Sequence, residues 1–331
     1  MNQPTFLRPA RLLWLLALLL ARIPALAQTQ KFDFGHLVIN VSESQTAQVF
    51  HIVDQLSQWD QYTHKAYVRW AAKSLPLSDE EKELLRQHAE MRKARGWGNG
   101  FEQAFLVDDP IEVAAKKAAA SGTLTEMEAT TEAAILSHFA TRLAPFMQQQ
   151  APVLDDFGRQ LVADRKHLSA LFDQIAKFAG TSGVVTVPVF LVANPEQQSG
   201  GGEANGGIIV VETPAPHPQS AAIHEALHVV LQPRAAEIKA AAEAAGLSFS
   251  DLNEGIAYAM APGLSEQNSD PLVEQLVTFM KRGTPVSNSY VRFYAIAGAI
   301  RPLLRQALES GQSLKDFLPL AASKAQQVLA Q

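Results

Sequence analysis

The 331-residue sequence contains no cysteine. Disulfide bonds are therefore excluded, and so are zinc ribbons and every other metal site that depends on thiolate ligands. A chain without thiols is safe in an oxidising compartment. Any metal site must therefore be built from histidine and carboxylate side chains.

Basic residues are also scarce, and this scarcity limits the possible partners. The chain has 28 basic and 33 acidic residues, and three of the arginines lie within residues 1–27. The remainder carries 25 basic and 33 acidic residues, a formal charge of −8. This acidic balance argues against nucleic acid or an anionic membrane as the main partner.

Long hydrophobic runs are absent except near the N-terminus, where residues 12–21 read LLWLLALLLA. Arg8 and Arg11 precede this run, and Ala25-Leu26-Ala27 resembles a signal-peptidase site. The run is short for a membrane span, and the lack of a following cysteine excludes a lipid anchor. We expect residues 1–27 to be a cleavable signal peptide and the protein to be periplasmic or secreted, without stable membrane association. A retained signal anchor is the alternative.

The patterning predicts an α+β fold that is predominantly helical. Residues 28–180 are mainly helical in pattern, with a capping box at Ser78 and Glu81 and helices near 110–121, 124–149 and 152–179. A weak alternation in residues 35–44 indicates an early strand. Residues 181–331 begin with two short apolar strands, near 184–193 and 208–212, and continue as helices. The domain prediction is therefore a signal peptide, a helical N-terminal region and a C-terminal region from residue 181.

The chemistry is concentrated in His224-Glu225-Ala226-Leu227-His228. On a helix, the two histidines lie one turn apart on the same face, close enough to bind one metal ion. Glu225 points about 100° further round the helix, where it can reach a water without being a ligand. This H-E-x-x-H pattern is typical of zinc-dependent hydrolysis. The surrounding residues are apolar on every side, which predicts a buried helix; histidines bonded to backbone carbonyls in a core are the alternative.

A catalytic zinc usually has a third protein ligand. The compact solution, a third histidine six residues after the second, fails because that position is Arg234. Glu254 fits better, because it lies beside the apolar stripe of a second helix that can fold back beneath the first. Glu254 could instead be the acid of a capping box with Asp251. Asp251 itself is the next candidate for the third ligand. Two further acids are weaker candidates: Glu237 and Glu243.

With Asn253-Glu254-Gly255-Ile256-Ala257 downstream of the histidine motif, residues 184–262 resemble the gluzincin metallopeptidases. The resemblance implies one Zn²⁺ held by His224, His228 and Glu254, peptide-bond hydrolysis, and a zincin-like core with a small sheet over the metal-binding helix. Many members have an acid four residues after the ligand glutamate, where it braces a histidine. This sequence departs from that pattern with Tyr258 at the position, and Tyr258 or Asn253 could provide the brace instead.

The implied mechanism assigns Glu225 as general base and leaves the oxyanion donor to be identified. Tyr290 is the first candidate, since it precedes an apolar helix. The other candidates are Tyr258, Tyr294, Arg292 and His217. The Gly-rich segment 199–207 is expected either to let an extended peptide approach a strand edge or to be a plain hairpin loop.

The leading hypothesis is an exported zinc metallopeptidase acting on a peptide or protein substrate. A non-peptidase hydrolase, or a zincin-fold protein that acts as a chaperone-like or binding module, is the alternative. A helical interaction protein with a structural metal site is a third. The intact Glu225 favours catalysis, because a purely structural site has no need of a general base.

Overall fold

The computed structural model describes residues 29–196, 201–214, 218–260 and 289–330. The predicted signal peptide therefore lies outside the described residues, and so does the part of the predicted C-terminal helices before residue 289. Within the described residues, no helix has both the length and the apolar composition that crossing a bilayer requires.

Helices dominate the described residues, and five strands form one sheet. The strands are β1 (Gln30–Asp33), β2 (Leu37–Ser42), β3 (Val185–Ala193), β4 (Gly202–Asn205) and β5 (Ile208–Thr213). The N-terminal helices are α1 (Gln45–Ser57), α2 (Lys65–Ser74), α3 (Asp79–Lys93), α4 (Gly100–Phe105), α5 (Ile111–Ala120), α6 (Glu126–Ala163) and α7 (Arg165–Ala179). The C-terminal helices are α8 (Pro218–Leu231), α9 (Ala235–Ala244), α10 (Phe249–Met260), α11 (Ser289–Ser310) and α12 (Leu314–Leu329), with a 3₁₀ turn at Gln232–Arg234. The predicted α+β, mostly helical fold class is confirmed.

The sheet has the order β1-β2-β3-β5-β4 and is mixed. The three inner strands run parallel, and the two outer strands are antiparallel to their neighbours. Because β2 and β3 pair directly, strands from both sequence regions belong to the same sheet. Strand β1 was not predicted from the sequence, and β4 was expected to be part of a link between two strands.

Helices cover both faces of the sheet, which explains why the parallel strands are apolar on both sides. On one face, Ile39, Val189 and Val211 pack with α7, α8 and α10–α12. On the other face, Phe190, Val192 and Val210 pack with α1–α5 and the first half of α6. The histidine motif therefore lies on a helix packed against one face, while the N-terminal helices support the opposite face.

Two local predictions in the helical region have different outcomes. The capping box at Ser78 and Glu81 is confirmed, with reciprocal hydrogen bonds at the start of α3. The separate helices predicted at 124–149 and 152–179 are wrong, because α6 runs without interruption through Pro145 and Pro152 and ends at Ala163. Its buried residues continue on both sides of Pro152, so packing offsets the hydrogen bonds that the prolines remove.

Candidate metal centre

Helix α8 carries the histidine motif with its apolar side chains in the core. Ala222, Ile223, Ala226 and Leu227 are all buried beneath the sheet. This confirms the apolar environment predicted from the sequence. His224 is also buried, whereas the following residue, Glu225, is partly accessible. The apolar side of the helix therefore packs in the core, and the histidine motif lies at the edge of that core.

The three predicted ligands lie together. His224 Nε2 lies 3.1 Å from His228 Nε2 and 3.1 Å from Glu254 Oε2. His228 Nε2 lies 3.4 Å from Glu254 Oε1. Two atoms that bind the same tetrahedral zinc at about 2.0–2.1 Å are separated by about 3.3 Å. The two histidines approach different oxygens of Glu254, and one donor atom from each of the three residues lies within 4.8 Å of the others, which is close enough for them to share one metal ion. A cation also explains the two facing ring nitrogens, because it accepts lone pairs from both, whereas at most one of them can donate to the other.

The position of Glu254 follows from where α10 begins. The capping box at its start is formed by Ser248 and Asp251, whose backbone N–H groups each meet the other's side chain at 3.0–3.3 Å. Glu254 is therefore beyond the cap, with its carboxylate directed at the histidines. The next residue, Gly255, matters for helix packing, since a Cβ there would lie 2.4 Å from Ile296 Cγ2. The glycine lets α11 pack closely against α10 and fixes the helix that carries Glu254.

The other acids considered as the third ligand form ion pairs with basic side chains. Asp251 accepts hydrogen bonds from Arg292 at 2.5 and 3.0 Å. Glu237 pairs with Arg234 at 2.6 Å. Glu243 lies 3.8 Å from Lys239 on the surface of α9. The capping role considered for Glu254 also belongs to Asp251, so Glu254 is the acid that the structure brings to the histidines.

The residues behind the His224–His228–Glu254 cluster differ from the acid brace that the resemblance to gluzincins led us to expect. Asn253 Nδ2 lies 3.0 Å from His228 Nδ1. If the amide is turned by 180°, its oxygen accepts the Nδ1 proton and leaves Nε2 free to bind a metal. The Tyr258 ring instead packs on the His224 ring, with 4.0 Å between centroids. His224 Nδ1 is buried without a hydrogen-bond partner among the described residues. Asn253 therefore orients His228 by hydrogen bonding, and Tyr258 orients His224 by packing.

The electrostatics of the cluster match two different roles for its two glutamates. Burial alone would raise the pKa of Glu254, but hydrogen bonds from His224 and His228 hold that pKa at about 2. This carboxylate remains ionised, as a ligand must. Burial raises the pKa of Glu225, the histidines oppose the increase, and the Glu254 charge adds to it. A carboxylate with a raised pKa is a stronger base near neutral pH.

Glu225 is held between α8 and the edge strand β4. A Cβ added at Gly202 would lie 3.2 Å from Glu225 Cγ and 3.5 Å from Ala221 Cβ. The glycine therefore allows the strand to approach the glutamate closely. The backbone N–H of Glu212 donates to Gly201 O at 2.8 Å, so the alternation of the ladder turns the main-chain groups of Gly202 and Ala204 towards the free edge.

The candidate oxyanion donors have different surroundings. Tyr290 is half-exposed at the start of α11, and burial together with the charges of Glu254 and Glu225 raises its pKa. Its hydroxyl is thus within electrostatic range of both glutamates. Tyr294 packs on Tyr258 at 4.6 Å between ring centroids, and Arg292 is paired with Asp251. The remaining candidate, His217, lies outside the described residues.

A second polar cluster, which the sequence analysis missed, lies behind β4 and β5. The carboxylate of Glu212 meets His51 Nε2 at 2.9 Å, His64 Nδ1 at 2.9 Å and the backbone N–H of Gly201 at 3.2 Å. Glu212 is almost fully buried, at 6% exposure. Burial alone would raise the pKa of Glu212, but the two histidines bring it down to about 2. The cluster joins α1 and the start of α2 to the strand pair that borders the metal site.

Replacement of Glu212 by glutamine should reduce the free energy of unfolding at neutral pH by about 3 kcal/mol, as the pKa difference from 4.5 to about 2 implies. The folded pKa is below the ordinary value, so this stabilisation is complete above about pH 5 and is lost as the pH falls through about 2. Denaturant unfolding at a series of pH values measures it, with Glu243→Gln as an exposed control. An equal loss in both variants at neutral pH would contradict the assignment.

Comparisons with models of protein families, with curated proteins and with solved structures found no match.

Proposed function

We propose that this chain is an exported zinc metallopeptidase with a zincin-like core, similar to the gluzincins, and that it acts on a peptide or protein substrate. The observation that carries the proposal is the spacing of His224, His228 and Glu254. Each pair of these residues has donor atoms 3.1–3.4 Å apart, with a different Glu254 oxygen facing each histidine, and these separations are close to that of two ligands on one tetrahedral zinc. The N-terminal sequence supports export through residues 1–27.

The donor set suits zinc, since two imidazoles and one carboxylate are a common ligand set of catalytic zinc sites. When bound, zinc supplies Lewis acidity that polarises a carbonyl group and makes water reactive near neutral pH. Glu225 accepts a proton from the attacking water and then passes this proton to the leaving nitrogen. Its burial against Gly202 limits the number of positions that the carboxylate can take.

The substrate binds in this proposal as an added strand. The outward main-chain groups of Gly202 and Ala204 offer hydrogen bonds to an extended peptide along the free edge of β4. Such a peptide would run past Glu225, because Gly202 lies directly against that side chain. Tyr290 is the candidate donor to the developing oxyanion, since its phenol lies within electrostatic range of Glu225 and Glu254.

A peptide-library digest with products identified by mass spectrometry tests this function. Purified mature protein is expected to cleave a subset of the library, to stop when zinc is removed by a chelator and to resume when zinc is restored. A zinc-loaded protein that cleaves no peptide would overturn the peptidase assignment and favour the non-peptidase or chaperone-like alternative. Cleavage that continues without zinc would overturn the metal's role.

A further inference from the structure

The strand beside Glu225, β4, is short and lies at the edge of the sheet. β4 is four residues long, and among the described residues β5 is its only neighbour in the sheet. A two-residue turn at Gly206 and Gly207 joins the two strands, and both glycines have positive φ, at 57° and 86°. This is the pattern of a tight type I′ hairpin turn. The position of such a short edge strand depends on contacts outside the hairpin.

Some of those contacts come from α8, which packs along β4, and others come from α4 of the N-terminal region, at the tip of the hairpin. The Asn205 side-chain amide donates to Glu102 Oε2, and Gln103 Nε2 donates to Asn205 Oδ1 at 3.0 Å. Asn205 is buried, at 3% exposure. A Cβ at Gly206 would lie 2.0 Å from Gln103 Nε2, so the glutamine crosses directly over the turn backbone. Both polar ends of the Asn205 amide are thus held by α4.

Glu102 is itself fixed by a chain of buried charges. Arg92 is fully buried and donates to Glu102 and, at 2.5 Å, to Asp54. His88 lies between Asp54 at 3.0 Å and Glu132 at 2.9 Å. This series of ion pairs links Glu132 on α6 to His88 on α3, then to Asp54 on α1, to Arg92 on α3 and finally to Glu102 on α4. Buried ion pairs contribute little net stability compared with apolar packing, but they hold their members in one geometry.

The register of β4 decides what meets the candidate general base. Gly202 lies against Glu225 only in the observed register, in which Gly202 pairs with Val211 and Asn205 pairs with Ile208. A shift of one residue would move the strand by about 3.3 Å and reverse its two faces. It would place Glu203 against Glu225 in one direction and Gly201 in the other. The two-residue turn sets the pairing of β4 with β5, so the contacts with α4 act instead on the position of the hairpin tip and hence on the position of β4 against α8.

We infer that Asn205 is a positioning residue: held by Glu102 and Gln103, it fixes the tip of the β4–β5 hairpin and thereby the position of β4 against α8, so that the N-terminal helices form part of the peptide-binding site. The inference rests on the proposed function for its link to substrate. The anchoring of the strand does not depend on that function and can be measured separately.

The test compares Asn205→Ala with Asn194→Ala in the full mature chain. Asn194 is a matched control, because it is also a buried asparagine and directly follows strand β3, but its amide donates to the backbone oxygens of Glu196 and Pro214. Asn205→Ala should raise KM for a cleaved peptide about tenfold, with kcat within about twofold and zinc content unchanged. Asn194→Ala should lower stability without raising KM.

Hydrogen exchange provides the readout that does not depend on activity. Asn205→Ala should increase exchange across residues 202–211 while the α8 amides keep their protection. Gln103→Ala, at a partly exposed position, should give a smaller increase in exchange at the same residues. It replaces Asn205→Ala as the test variant if Asn205→Ala does not fold.

Two results would overturn the inference: unchanged exchange at residues 202–211, or an equal rise in KM in the Asn194→Ala control. If the wild-type protein cleaves no peptide, the proposed function fails. The exchange experiment then still decides whether Asn205 anchors the strand.

Discussion

Replacement of Glu225 by glutamine is expected to lower kcat/KM for peptide cleavage by about 10²- to 10⁴-fold, the usual contribution of general acid–base catalysis. The amide keeps the shape of the side chain against Gly202 but cannot take a proton from the attacking water. Zinc content should be unchanged, because Glu225 is not among the three residues whose donor atoms cluster. Initial rates on a peptide found in the library digest, together with zinc analysis, measure both quantities.

The matched control for this variant is Glu243→Gln, which makes the same change at a mostly exposed position of α9. It should retain the wild-type rate. If Glu225→Gln keeps full activity, the carboxylate is not the base. If Glu225→Gln loses its zinc, the residue supports the site in a way that the geometry does not indicate.

Replacement of Glu254 by alanine is expected to weaken zinc binding by more than about 100-fold. Loss of a residue that merely orients a ligand costs about 10- to 100-fold in affinity, and removal of a ligand should cost more. A ligand present at 100 times its Kd stabilises a folded protein by about 2.7 kcal/mol. Zinc should therefore raise the unfolding temperature of the wild-type protein, but at the same concentration should have little effect on Glu254→Ala.

Asp251→Asn is the informative comparison for the Glu254 experiment. Asp251 was the alternative ligand, and its carboxylate is bonded to Arg292 and to Ser248. This variant should lose stability and retain zinc affinity. If Glu254→Ala binds zinc strongly and Asp251→Asn does not, Asp251 rather than Glu254 is the third ligand.

Features that depend on local sequence were predictable. The two histidines belong to one helical turn, so their shared face follows from helix geometry alone. The capping box of α3 likewise follows from Ser78 and Glu81. Glu254 is 30 residues from His224, and it was identified through its residue type and its place beside an apolar stripe. Its alternative Asp251 could be set aside only once Arg292, which is 41 residues further on, was seen to pair with it.

The features that escaped prediction are side-chain pairs between distant segments. Asn205 and Glu102 are 103 residues apart, and His51 and Glu212 are 161 apart. Neither pair leaves a periodic pattern in the sequence, because one polar residue on a helix or strand reads as a surface position until its partner is known. The brace for His228 was narrowed to Tyr258 or Asn253, and only the structure separated the hydrogen bond of Asn253 from the ring packing of Tyr258.

Anomalous diffraction at the zinc edge, from crystals of the mature protein grown with zinc, tests the central claim most directly. The account predicts one zinc ion per chain, about 2.0–2.1 Å from His224 Nε2, His228 Nε2 and an oxygen of Glu254. Absence of anomalous signal at these three residues, or a zinc bound only elsewhere on the chain, would contradict it.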